Sequence, residues 1–174
     1  MSVIVISPTE MTQLWRSHAS ALVLLAKSRC GAAVDQAEDC VQEAFIRLAS
    51  QEPVPADCLA WLVRVVRNAA IDASRSQKRR VARESTAGKI RGGMFEPDPL
   101  TSSSATEDME RALASLDPET REIIVAHIWN NMTFRQIAEV FEISHATANR
   151  RYEAGIVRLR LAVMQVEILT NTKN

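Results

Sequence analysis

The run Ile143-Ser144-His145-Ala146-Thr147-Ala148-Asn149-Arg150-Arg151 puts a helix-capping serine, small residues, an amide and two arginines into fewer than three helical turns. An asparagine amide can pair with the edge of adenine, and a guanidinium with guanine or with phosphate. Such donors at the front of a helix suit a nucleic acid. A second group lies between Arg64 and Arg83, where seven basic residues accompany one acid, Asp72. Arg64, Arg67, Arg75 and Lys78 fall at i, i+3, i+11 and i+14, within one stripe of a helix. A charge run is usually a solvated face. Here it continues an apolar helix, which favours a nucleic-acid backbone site. The acids gather elsewhere: Asp35, Glu38, Asp39 and Glu43 in one place, and Glu107, Asp108 and Glu110 in another.

Other chemistry finds little support. Cys30, Cys40 and Cys58 are widely spaced, no CxxC pair exists, and His18, His127 and His145 are scattered. This spacing argues against a zinc site or a disulfide framework. A Cys–His nucleophilic pair is compatible with the composition, but small apolar thiols are the ordinary reading. Nothing has the spacing of a nucleophile, metal or phosphate-loop site, so neither an enzyme nor a cofactor is expected.

The elements that must position these groups read as helices almost throughout, because no stretch alternates with period two. Residues 7–31 form one or two helices ending at Gly31. In "DQAEDCVQEAFIRLAS", Val41, Ala44, Phe45 and Leu48 share one apolar face. The two prolines of "QEPVPADC" make a loop. A long helix follows from about Leu59 to about Arg80, with Leu62, Val65, Val66 and Ala69 toward a core. Residues 83–105 are a linker rich in glycine, proline and serine. It tethers a helical unit at 1–82 to another at 106–174. In the second unit, Asp117-Pro118-Glu119 announces a helix through an N-cap, a first-turn proline and an acid. Thr133 and Gln136 form a capping box. Ile137, Ala138 and Phe141 line a short helix, and a tight turn at Glu142-Ile143 leads to Ser144, a second N-cap. Ala148, Tyr152, Leu159 and Val163 then form an inner face. Two short amphipathic helices joined by a tight turn make the helix-turn-helix pattern, whose second helix enters the major groove. Ala146, Asn149, Arg150 and Glu153 point away from the inner face; Thr147 and Arg151 flank it and suit phosphates. The pattern alone is equally that of a helical hairpin with a solvated face.

The chain has 174 residues, enough for one domain or two small ones, with 47% hydrophobic and 24% charged residues. Its net charge is zero. The uneven distribution leaves room for DNA binding and gives acidic faces for a basic partner. The start "MSVIVISP" has no basic residue and too short an apolar run for a signal peptide. "ALVLLA" is far below the ~20 residues that cross a bilayer. A soluble cytoplasmic protein is expected.

The segments "AEDCVQEAFIRL", "AWLVRVVRNAAID" and "LDPETREIIVAHIWNNMTFRQIAEVFEISHATANRRYEAGIVRLR" resemble, in order and spacing, the extracytoplasmic-function sigma factors of bacterial RNA polymerase. The resemblance implies an all-α fold of two small helical domains. The first would bind the polymerase clamp and the promoter's −10 element, and the second the −35 element and the polymerase flap. Carried over by position, Asp39, Gln42 and Glu43 lie in the clamp-binding helix. The loop Gln51–Asp57, with Arg64, Arg67, Asn68, Arg75, Lys78 and Arg79, matches the −10 strand-opening region. Arg135, His145, Thr147, Asn149, Arg150 and Arg151 match the −35 reader. The implied partners are core RNA polymerase, promoter DNA and an anti-sigma factor. Where the family commonly shows Thr-Val-Lys-Ser-Arg-Leu, this chain has Thr147-Ala148-Asn149-Arg150-Arg151-Tyr152, and Ala154 replaces a usual arginine. The family's −35 sequence therefore does not transfer. The other reading is a helix-turn-helix repressor or activator on duplex operator DNA. It needs neither the basic stripe nor the acidic helix.

Overall fold

The structure, a computed structural model, describes residues 6–30, 34–84, 109 and 112–171. Most of the expected linker lies outside the described residues. Those described form α1 (Pro8–Cys30), α2 (Val34–Ala49), α3 (Cys58–Glu84), α4 (Pro118–Ile128), α5 (Phe134–Phe141) and α6 (His145–Asn171), with a helical turn at 112–114 and no strand. No described helix is long and apolar enough to cross a membrane.

Most of the helices start at a capping side chain. Ser7 Oγ accepts from Glu10 N, while Glu10 Oε2 accepts from Ser7 N at 3.1 Å, with Pro8 opening α1. α1 is a single helix. Asp57 Oδ1 accepts from Ala60 N at 2.9 Å at the front of α3, which runs to Glu84, one turn past the expected end. Asp117 caps α4 through Thr120 N, and the capping box of Thr133 and Gln136 is complete on α5. Glu142 closes α5 in the left-handed region at φ 56°, its N–H bonded to Ala138 O.

Helices α1, α2 and α3 pack on one another through Leu22, Leu25, Val41, Leu48, Leu62 and Val66. All six are buried, and each stabilises the fold by about 1.5–3 kcal/mol through burial. The same apolar cluster continues into Ile123, Val125, Ile137 and Phe141 of the second unit. The sequence led us to expect two tethered units; here they lie against each other, α4 on α1 and α5 on α3. A smaller cluster of Leu113, Leu116, Ile124 and Leu159 joins the turn at 112–114 to α4 and α6. Helix α4 is therefore buried on all sides from Thr120 to Ala126.

Two charged residues of α4 share that burial. The Arg121 guanidinium donates to the carbonyls of Leu113, Ala114 and Leu116, closing the end of the preceding helical turn, and to Ser28 O of α1 at 3.3 Å. Glu122 is fully buried. Arg29 meets it through two bonds of 2.8 and 2.9 Å, and Arg67 Nε lies at 3.3 Å.

Candidate nucleic-acid and polymerase interface

The helix-turn-helix is built locally. Ile143 N donates to Ala138 O at 3.1 Å, carrying the chain around the left-handed Glu142 into Ser144. Ser144 Oγ accepts from Thr147 N at 3.0 Å and also contacts Thr147 Oγ1 at 2.8 Å. Ala148 is fully buried against the core, which fixes the rotation of α6. An aromatic group clamps its first turns. His127 stacks on Phe134 at 4.4 Å, and Tyr152 meets both rings edge-on at 4.7 and 5.3 Å. His127 Nδ1 also lies 2.8 Å from Met132 O. The front of α6 is thus held by α4 and α5 and presents its outer side to solvent.

His145 and Arg150 stand exposed there; Thr147, Asn149 and Arg151 are half-buried. Asn149 Nδ2 donates to Glu153 Oε1 at 3.1 Å. Arg151 Nη1 forms an ion pair with Glu119 Oε2 at 2.6 Å. Its geometry is not that of a hydrogen bond, since Nη1 has no hydrogen-bond partner among the described residues. Arg135, on α5, is exposed and reaches Glu139 at 3.5 Å. Arg150 has no ion pair among the described residues, so its guanidinium is the least committed of the set.

The basic stripe divides in two. Arg64 is exposed, but its Nη2 donates to Glu139 O at 3.3 Å. Arg67 is half-buried between Glu122 and the ring of Phe141, whose centroid lies 4.6 Å away. Further along α3, Asn68, Arg75, Lys78 and Arg79 are exposed, and Arg75 pairs weakly with Asp72 at 3.7 Å. The proline loop borders a cleft of about 430 Å³ lined by Val54, Pro55, Ala56 and Cys58 from one side and by Leu14 and His18 of α1 from the other. Asp57, at the end of this loop, accepts from Gln136 Nε2 of α5 at 2.6 Å.

On α2, Asp39, Gln42 and Glu43 are exposed together on the side opposite Val41 and Leu48, and Glu43 pairs with Arg47 at 2.8 Å. Beside them opens an apolar groove of about 480 Å³ between α1 and α2, lined by Met11, Trp15, Phe45 and Ile46. Trp15 packs edge-on against Phe45 at 4.9 Å yet remains 42% exposed, and Ile46 is 65% exposed. Two large apolar side chains beside carboxylates form a surface suited to a partner that is both apolar and basic. Sequence reading found the acids and missed the groove. The signal was an isoleucine on the polar side of an otherwise amphipathic helix.

The thiols are poor nucleophiles. Burial pushes Cys30 up to about 12, helped by its neighbour Cys40, and burial raises Cys40 and Cys58 as well. Glu122 and Arg121 were also missed. Read from sequence, they belong to a helix with one polar turn. In the fold, burial pushes the Glu122 carboxyl up while the two guanidiniums pull it down, and the net shift is upward. Its partner Arg29, although burial opposes its charge, is raised by Glu122. The two shifts favour opposite charge states of the pair. Both carboxylate oxygens accept from Arg29, and that is the geometry of the ionised acid.

Comparison with known proteins accounts for both halves. Residues 14–80 match Sigma-70 region 2, and residues 106–159 match Sigma-70 region 4. The ECF RNA polymerase sigma factor SigL of Mycobacterium tuberculosis is 30% identical over 162 residues, 91% of each chain. SigJ of the same species is 36% identical over 126 residues, 67% of this chain but only 40% of that longer relative. The fold resembles that of the sigma factor RpoE in complex with the anti-sigma factor NepR from Bartonella quintana. The TM-score is 0.67 at 23% identity, over 90% of this chain and 98% of the other. It also resembles CnrH in complex with the cytosolic domain of CnrY, with a TM-score of 0.57 at 22% identity, over 91% and 90% of the two chains. A lone helix-turn-helix regulator would explain the second region and leave the first without a purpose. Both regions follow in order, and a relative aligns along nearly the whole of both chains: the protein belongs to the extracytoplasmic-function family of RNA polymerase sigma factors.

Proposed function

We propose that this chain directs core RNA polymerase to a specific set of promoters in the cytoplasm and performs no catalysis itself. Residues 1–82 and 106–174 act as separate binding units, and 83–105 is the segment that joins them. The face of α2 carrying Asp39, Gln42 and Glu43, with the neighbouring groove at Trp15 and Ile46, engages the polymerase clamp. The carboxylates steer and orient the encounter, and the apolar groove supplies buried area. The loop Gln51–Asp57 and α3, through Arg64, Arg67, Asn68, Arg75, Lys78 and Arg79, hold the −10 strand. The cleft beside that loop has room for an unpaired base. Helix α6 reads the −35 element: Asn149 and Arg150 meet base edges, while His145, Thr147 and Arg151, with Arg135 of α5, hold the backbone. An anti-sigma factor of the kind bound to the solved relatives is the expected antagonist.

The observation that carries this reading is the pairing of two separate surfaces on one chain. One is the acid-edged apolar groove of α2, which has no place in a simple DNA-binding regulator. The other is a capped helix front with an uncommitted Arg150. Gel filtration of the chain with core polymerase tests it. A one-to-one complex is expected. Elution of the two components apart, with tight binding to duplex DNA alone, would point instead to a free-standing regulator.

A further inference from the structure

The end of α4 and the back half of α6 enclose a groove of about 550 Å³, whose lining includes Met109, Ile128, Trp129, Tyr152, Arg160 and Met164. A mostly apolar concavity of this size with one charged group at its edge has the make-up of a ligand site. Met109, Ile128, Trp129 and Met164 are between 37% and 58% exposed, so four large apolar side chains of one groove stand open to solvent together. Arg160 is exposed and has no ion pair among the described residues. The groove begins at Tyr152, behind the front of α6, and leaves His145 to Arg151 outside its lining.

Met109, on the rim, is also where the chain arrives from the joining segment. Residues 85–108 lie outside the described residues. Within their sequence, Met94-Phe95-Glu96-Pro97-Asp98-Pro99-Leu100 puts three apolar side chains, two acids and two prolines into seven positions, and Phe95 is the one aromatic residue of 85–108. Each proline fixes its own φ and biases the residue before it toward extended backbone. Extended, proline-containing peptides dock in aromatic-lined grooves at a low ordering cost. Trp129 and Tyr152 supply that lining, and Glu96 and Asp98 carry the charge opposite to Arg160. Reach favours this segment over a second copy of the chain. Phe95 precedes Met109 by 14 positions, which span up to ~46 Å. The groove's stretch of α6, from Tyr152 to Met164, is only ~18 Å long. A tether that short holds its segment at roughly millimolar concentration beside the groove, far above that of a second copy in dilute solution.

We propose that residues 94–100 are an internal ligand for the groove between α4 and α6. Phe95 and Leu100 enter against Trp129 and Met164, and Glu96 and Asp98 pair with Arg160. The segment joining the two units is therefore more than a tether. A separate partner for this groove must offer the same chemistry, an apolar peptide flanked by acids, and must displace the segment to bind.

The test uses the full chain, with no polymerase or DNA present. Phe95 is replaced by the photo-crosslinker p-benzoylphenylalanine, and the irradiated chain is digested and mapped by mass spectrometry. Cross-links to residues 128–129 or 156–164 of the same chain are expected. Arg160→Glu should lower their yield about tenfold, because a cation facing two acids becomes a third acid. Adding Glu96→Lys and Asp98→Lys to Arg160→Glu should restore it. Chymotrypsin cleavage after Phe95 gives a second measure on the unlabelled chain. It should be about tenfold slower in the parent than in Arg160→Glu, since only the undocked segment is cut. Absence of cross-links to the groove, together with equal cleavage in parent and Arg160→Glu, would overturn the proposal. So would cross-links that join two chains, which would give the groove to a second copy. Failure of the two lysines to restore the yield would also overturn it, because the acids would then have no part in the contact.

Discussion

Replacing Asn149, Arg150 and Arg151 by alanine, one at a time, should produce two different kinds of loss. Arg150 is exposed and has no ion pair among the described residues, so under the proposed function a contact with a base would be made at little internal cost. Removing it should cost about 1–3 kcal/mol at one base pair, the worth of a bidentate base contact. Asn149 must first give up its bond to Glu153. That bond is exposed and worth only about 0.5–1.5 kcal/mol. Removing Asn149 should therefore relax one position by less, about 0.5–1.5 kcal/mol. Arg151 is different, because Glu119 already neutralises part of its charge at 2.6 Å. Its loss should weaken all promoters alike and lower the salt dependence by about one unit of slope or less. Glu119→Gln should do the reverse, raising output uniformly. The assay is selection from a randomised −35 library with each variant and core polymerase. If all the alanine variants depress every promoter by the same factor, α6 touches only backbone and the reasoning fails.

Reversing Asp39 and Glu43 together to lysine should weaken core binding by about 2–5 kcal/mol with helicity unchanged; an undiminished affinity in a pull-down titration would remove α2 from the interface. Gly155 lets α6 approach α4 closely, since a Cβ there would meet Thr120 Cγ2 and Ile124 Cδ1 at 2.6 Å. Gly155→Ala should therefore destabilise by about 1–3 kcal/mol in urea unfolding, despite the ~1 kcal/mol of helix propensity it gains; a stabilised variant would mean the contact relaxes freely. Burial opposes the charge of Asp117, but its bonds from Thr120 and the nearby Arg151 hold the carboxyl below the usual carboxylate range. The stability it contributes is present above its unfolded pKa and disappears as pH falls through the lower folded one, so Asp117→Asn should flatten that acid limb of the stability profile. Cys30, pushed up to about 12, should resist iodoacetamide at neutral pH until the chain is denatured; rapid labelling of native protein, read by mass spectrometry, would contradict its burial.

What was legible in the sequence is what is settled within a few residues. The Asp117 cap, the Thr133–Gln136 box and the Ser144 start each depend on a partner three positions away, and each forms as read. The apolar face Val41, Ala44, Phe45 and Leu48 is buried as its spacing requires. What escaped depends on chain neighbours that spacing cannot supply. Glu122 meets Arg29 across 93 residues and Arg67 across 55. Within "ETREIIV", nothing distinguishes a buried arginine and glutamate from a solvated turn. Arg67 belongs to the basic stripe of the sequence, but the same charge that suits DNA also suits Glu122 and the Phe141 ring. A glycine inside a helix, such as Gly155, is by itself only a cost in helix propensity. Only the closeness of α4 gives it a purpose.

Run-off transcription with purified core polymerase on a promoter library decides whether this chain confers promoter specificity. Core enzyme alone should leave the library silent, and adding this chain should yield transcripts from a subset sharing two sequence elements at fixed spacing. Arg150→Ala should change the preferred upstream element and leave the downstream one intact. Transcription that does not depend on the chain, or that this chain represses, would contradict a role in promoter selection.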